Sequence, residues 1–332
     1  MLTTSASGRA YDFSHVVGGR QITGIVNLAF GEGDDVYMVK KAAGFTDVLK
    51  LSIGDLPDSE EIAVTFSHVN EGFFRKSWPA CVAVGHDLNV YVTDELRHMI
   101  SVFDSDGHFL NDIGEQGGSD GQLDRPSGIV FNSSGNILVV DTLNHRVQEL
   151  TTDGVYINGW GEQGSGDGQF QSPWGITVDG NNDVYVADHK NHRVQKFDSS
   201  GNFISSFGSL GSDPGQFDHP SDVAVDPEGD IYVCDWVNNR VQVFDSEFKF
   251  ISELRGAAIE LSKWQKQYVR GNPDVHKARR RVASLEPETR FALPTGVKYD
   301  AARSRLLVVD SQRWRIQIFD KLDGYSDPQF NI

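Results

Sequence analysis

One interval constrains this chain more than any other feature: its sequence repeats itself every 47 residues. Pro79, Pro126, Pro173 and Pro220 follow one another at that spacing, and so do Asp94, Asp141, Asp188 and Asp235. Two independent marks in one register make each interval a structural unit. A fifth copy follows a longer gap, at Pro294-Thr295-Gly296 with Asp310, and a degenerate first copy reads Ile22-Thr23-Gly24 with Lys40 in place of the aspartate. Inside a copy the apolar period is two. Ile176 to Asp179, Val184 to Ala187, Val194 to Phe197 and Phe203 to Phe207 are four short runs parted by Gly, Asn and Asp, which is the pattern of half-buried strands. Asp106-Gly107, Asp153-Gly154 and Ser200-Gly201 supply the positive φ that tight hairpins need.

Each copy therefore predicts a four-stranded antiparallel sheet, and a lone sheet of that size cannot cover both of its faces. Stacking the copies around an axis can, so the sequence predicts an all-β fold, a six-bladed β-propeller forming one domain over residues 1–332. The last copy has three clear strands only. Phe13, Val17 and Gly18 reproduce the spacing of Phe203, Phe207 and Gly208, so residues 11–17 are expected to add the outer strand of the last blade and close the ring. Residues 325–332 are the poorer candidate because Pro328 interrupts them.

The segments Asp141-Thr-Leu-Asn144-His145-Arg146-Val147-Gln148 and Asp188-His-Lys-Asn191-His192-Arg193-Val194-Gln195, with Asp235 to Gln242 close behind, resemble the NHL repeat. The resemblance runs over roughly residues 11 to 320 and implies the fold. It leaves function open, because such propellers include protein-binding modules, RNA-binding modules and peptidyl-hydroxyglycine amidating lyases. In the lyases the zinc-binding histidines directly follow the proline of the innermost strand. Here Ala80, Ser127, Trp174, Ser221 and Thr295 stand in those places, so that zinc site does not carry over.

Composition narrows the classes further. A 39% hydrophobic share supports a large core and excludes wholesale disorder. Met1 to Ala10 lack an apolar core and no stretch is long and apolar enough for a membrane span, so a cytoplasmic protein without membrane contact is expected. Cys81 and Cys234 fall three blades apart, which opposes a disulfide and fits a reducing compartment. A net charge of −17 opposes nucleic-acid binding.

Topology directs the search for a site. The Pro-x-Gly strand starts, the loops entering each blade and the turns after the repeated aspartates all fall on one rim, the expected place for function. Repeated residues there read as structural. The Asp/Arg couples Asp141 with Arg146, Asp188 with Arg193, Asp235 with Arg240 and Asp310 with Arg315 read as ion pairs that fix geometry, and His98, His145 and His192 as turn histidines rather than a three-histidine metal site. The loop Asp179 to Asp183 reads as an ordinary turn rather than a calcium loop. Residues that break the repeat are the candidates: Trp174 and Cys81 at the innermost strand starts, Asp222 beside them, Trp78, Arg125 and His219 just before the prolines, and His189 and Trp236 just after the aspartates. Thr23 is expected to lean to the axis in the degenerate copy. Asp222 and His219 are the acid/base candidates, with Arg125 as an anion clamp; Trp174 either plugs the channel or lines a ligand site.

The fifth and sixth copies are separated by an insertion, residues 254–291, with nine Lys or Arg against four Asp or Glu, a net of +5 that leaves −22 on the rest of the chain. Leu261, Trp264, Tyr268 and Val269 predict a short helix ended by Gly271-Asn272-Pro273, and a second helix is expected from Pro273 through Leu285, stopped before Pro287. The insertion is expected to form a basic lid over or beside the mouth, either neutralised by its own acidic propeller or facing an anionic partner. The functional expectation is a module that binds a protein partner or a small polar or anionic ligand at this rim. The alternative is a lyase or hydrolase in the lid-covered mouth, with a divalent metal in the channel left open.

Overall fold

Alternation along each strand sends its apolar side chains toward the two neighbouring blades, and six hydrophobic clusters result, one between each pair of blades. Leu138 and Val140 meet Ile176 and Val186 between the third and fourth blades, for example, and Val17, Leu307 and Ile316 meet Ile25, Leu28 and Met38 where the sixth meets the first. The computed structural model describes residues 3–6, 8–42, 45–66 and 77–322. Six antiparallel sheets form a ring, and the innermost strands Ile25–Phe30, Pro79–Val84, Pro126–Phe131, Ile176–Val178, Pro220–Val225 and Pro294–Asp300 touch in succession until the last meets the first.

In the last blade, Arg9–Gly18 pairs antiparallel with Arg315–Lys321, placing Phe13 opposite Phe319 and Val17 opposite Ile316. The strand Thr3–Ala6 adds a fifth strand outside it, which the sequence did not announce because its small polar residues carry no alternation. The alternative closing segment, residues 325–332, lies outside the described residues. Hairpin glycines have a packing reason as well as a conformational one: at Gly201, φ is 84°, and a Cβ would lie 2.5 Å from the Trp160 ring of the preceding blade.

The first copy corrects the sequence reading. Ile25 pairs with Lys40 and Asn27 with Val39, just as Pro79 pairs with Asp94 and Cys81 with Thr93. The strand start is thus Ile25-Val26-Asn27, and Val26 rather than Thr23 faces the axis. Thr23 instead donates its hydroxyl to the Arg20 carbonyl in the turn before the strand.

The insertion folds into α1 (Lys263–Gly271), α2 (Pro273–Arg281) and α3 (Glu286–Thr289). Ser262 and Gln265 form a reciprocal capping box at the start of α1. Trp264 is buried with Val17, Ile22 and Ile25, Lys266 pairs with Asp58 at 2.7 Å, and the Arg20 guanidinium lies 4.0 Å over the Tyr268 ring, so α1 is seated on blades six and one. The second helix ends earlier than expected and Pro287 lies inside α3, because proline in a first helical turn removes no intrahelical hydrogen bond. Most of the basic charge meets local carboxylates, including Arg279 with Glu288 and Arg290 with Glu286. Among the described residues, no helix is long and apolar enough to cross a membrane.

Candidate functional site

The repeated polar residues of the loop-rich rim form a framework. Asp188 accepts hydrogen bonds from the Gln171 amide at 2.8 Å, Asn191 at 2.9 Å, Arg193 at 2.9 Å and Gln195 at 3.1 Å, while Arg193 and Gln195 also donate to loop carbonyls. The same set recurs around Asp141 and Asp235. These aspartates therefore pin the incoming loop of their own blade, a fuller role than a simple ion pair. Burial raises the Asp188 carboxyl pKa, against the lowering action of those donors.

The turn histidines join blades. His98, His145 and His192 sit in the left-handed region, and the Nδ1 of each accepts the backbone N–H of Arg125, Ser172 and His219 in the next blade, all at 3.1 Å. Asn239 does the same through Oδ1 to Leu293 at 2.7 Å. Spread over successive blades, they form inter-blade staples and not a metal triad.

Inside this framework two rings of six residues surround the axis. The residues after the proline positions are Val26, Ala80, Ser127, Trp174, Ser221 and Thr295, and those after the aspartate positions are Lys41, Glu95, Thr142, His189, Trp236 and Ser311. Nine of these twelve, all but Ser127, Thr142 and His189, join Trp78 in lining a central cavity of about 390 Å³, whose floor includes Asn27, Cys81, Gly128 and Gly175. Lys41 Nζ meets Glu95 Oε1 at 2.7 Å and lies 4.9 Å from the Trp78 ring. Burial lowers the Lys41 pKa, opposed by Glu95. Trp174 forms a common wall with a side pocket of about 200 Å³ that also involves Glu95, Arg125, His189 and Lys190.

Of the residues singled out in the sequence, Trp78, Cys81, Trp174 and Trp236 line the central cavity, and Arg125, Trp174 and His189 line the side pocket. Trp174 is thus a wall and not a plug. It stands edge-on to His189, with ring centroids 4.7 Å apart, and 6.3 Å from the Trp236 ring. His189 donates from Nδ1 to the Pro220 carbonyl, and burial lowers its pKa to about 4. Cys81 is buried, and burial raises its thiol pKa, the setting of a packing residue and not of a nucleophile.

The proposed acid/base couple is not assembled. Asp222 is 1% exposed and accepts from Lys298 Nζ at 2.9 Å and the Val297 amide at 3.1 Å beneath the cavity floor. His219 lies at the rim, donating to Asp218 at 2.6 Å and packing between the rings of His189 and His192. Neither lines the central cavity or the side pocket. The insertion does not cover the mouth, since no residue of 254–291 lines either space; it lies beside it, where Gln312 borders both the central cavity and the groove lined by α1 and α3. Lys41 and Glu95 were missed, although the signal existed: they occupy the same repeat position as His189 and Trp236.

Among the described residues, two groups of side chains have the chemistry to hold a metal ion, His192 with Asp218 and His219, and Asp226 with Glu228 and Asp230. In the first, both histidine Nδ1 atoms already serve hydrogen bonds. In the second, Lys321 Nζ stands among the carboxylates at 2.5, 2.6 and 2.9 Å.

Fold and rim together define a six-bladed β-propeller with an aromatic cavity at the mouth of its axis. Residues 123–150, 170–197 and 217–244, in three successive blades, match the NHL repeat. Among curated proteins there is no match. Similar solved structures include virginiamycin B lyase from Staphylococcus aureus with quinupristin (13% identity, TM-score 0.56, covering 93% of this chain and 88% of that one). A gluconolactonase from Xanthomonas campestris is similar at 13% identity and TM-score 0.60, covering 95% and 90%. A chain of a nidogen/laminin complex is similar at 18% identity and TM-score 0.55, covering 76% and 92%. At these identities the likeness is one of fold.

Proposed function

We propose that this propeller is a binding module that holds a small aromatic ligand in the cavity at its channel mouth. The observation that carries the reading is the convergence of Trp78, Trp174 and Trp236, from three blades, on one cavity of about 390 Å³. Ring-shaped ligands gain dispersion and edge-to-face contacts from such walls, and cavities of this size suit small molecules. A cytoplasmic location is part of the same reading, supported by two buried cysteines that remain free thiols. The test is quenching of tryptophan fluorescence by naphthol and naphthaleneacetate. Saturable quenching is expected, weakened about tenfold or more by Trp174→Ala. Absence of saturable quenching, or indifference to that substitution, contradicts the reading.

A second reading, a lyase or hydrolase, is favoured by the His219–Asp218 couple at 2.6 Å beside this mouth and by the fold likeness to virginiamycin B lyase and gluconolactonase. In it His219 is oriented by Asp218 rather than partnered by Asp222. Turnover of lactone or ester substrates that is lost in His219→Ala supports it, and absence of turnover across such a panel counts against it.

A further inference from the structure

We infer that the ligand is an aromatic anion, with its ring among Trp78, Trp174 and Trp236 and its acidic group in the side pocket beside Arg125 and Lys190. The inference rests on the ligand-binding reading above and names the chemistry of what is bound.

Charge carries it. The protein has a formal charge of −17, so a cation near its surface has no shortage of carboxylates to meet. Arg146, Arg193, Arg240 and Arg315 all meet one within their own blades. Arg125 and Lys190 are exposed and make no ion pair among the described residues, yet both border the same pocket. Glu95 also borders it, but Lys41 Nζ lies 2.7 Å from that carboxylate and balances it. Two cations are therefore left facing a concave space walled by Trp174 and His189.

Their placement is built and not incidental. The Arg125 backbone has φ of 53°, in the left-handed region, and is held there by the hydrogen bond from its N–H to His98 Nδ1 at 3.1 Å, with Pro126 immediately following. Lys190 lies in the turn after Asp188, and its backbone N–H donates to the Gln171 carbonyl at 3.1 Å. Both side chains thus project from backbone that the repeat framework fixes, which lowers the ordering cost of binding. The volumes, about 390 Å³ and about 200 Å³ on either side of Trp174, suit one or two fused rings bearing a short acidic arm.

The test compares naphthaleneacetate with its neutral isostere naphthaleneacetamide. On the wild-type protein the acid is expected to bind at least about tenfold tighter than the amide, as a charge-assisted hydrogen bond allows. That preference should shrink with added salt and vanish in the Arg125→Ala/Lys190→Ala variant. These side chains are solvent-exposed, and an unchanged unfolding midpoint checks that the variant is folded. If both compounds bind equally in a manner that depends on Trp174, the anion inference is overturned while the ligand-binding reading stands. If neither binds, both fall.

Discussion

At the scale of single residues, the repeated aspartates and histidines do different work. Asp188→Ala would leave Arg193, Asn191, Gln195 and the Gln171 amide without their common acceptor. Removing one member of a buried charged network costs about 3–5 kcal/mol, so urea denaturation of that variant should show a loss of that order. The histidine staples respond to pH. Burial lowers the pKa of His145 and His192 below the ordinary 6.5, so the folded state favours their neutral forms, whose Nδ1 atoms accept the Ser172 and His219 amides. Their stabilising contribution is therefore complete above about pH 6.5 and is lost as pH falls through the lowered folded values. Asp141 and Asp188 act in the opposite sense, because burial raises their pKa. The informative quantity is thus a difference. The His145→Asn/His192→Asn variant should keep its stability at neutral pH, as Asn239 already fills this role in blade five, and should lose less than wild type on acidification. An identical pH profile for the two proteins would contradict the staple.

At the scale of elements, ring closure depends on how the terminal strands of the last blade are held. Lys321 reaches across to Asp226, Glu228 and Asp230 of blade five, and Arg9 on the closing strand pairs with Asp230 at 3.0 Å. Lys321→Ala leaves the buried Asp226 and Asp230 without their shared cation, and a loss of about 3–5 kcal/mol in chemical denaturation is expected. Neutralising the acids as well, with Asp226→Asn/Asp230→Asn, should recover part of it. Much of this fold was legible because blades repeat: the Pro and Asp marks set four registers at once, and the period of two set the strands. What was hidden lacked those marks. The first copy begins at Ile25 without proline and has Lys40 for aspartate, so its register slipped by about one turn of chain, and Thr3–Ala6 carries no apolar alternation.

At the scale of the whole molecule, the propeller sets an acidic body around an aromatic mouth, with Arg125 and Lys190, which make no ion pair among the described residues, at its side. Judging residues by their departure from the repeat found Trp174, His189 and Trp236, since the copies around them are regular. It overlooked Lys41 and Glu95, although Lys40 and Asp94 were in register and both residues follow them as His189 and Trp236 follow their aspartates. It also grouped Asp222 with His219, since sequence register gives position along a blade and not depth along the axis. Asp222 lies below the floor with Lys298, and His219 at the rim. The most direct measurement of the central claim is to soak crystals of the protein with small aromatic fragments. The result expected is that bound fragments concentrate between Trp78, Trp174 and Trp236. Fragments that bind only elsewhere, such as the groove between α1 and α3, with the mouth left open, would contradict it.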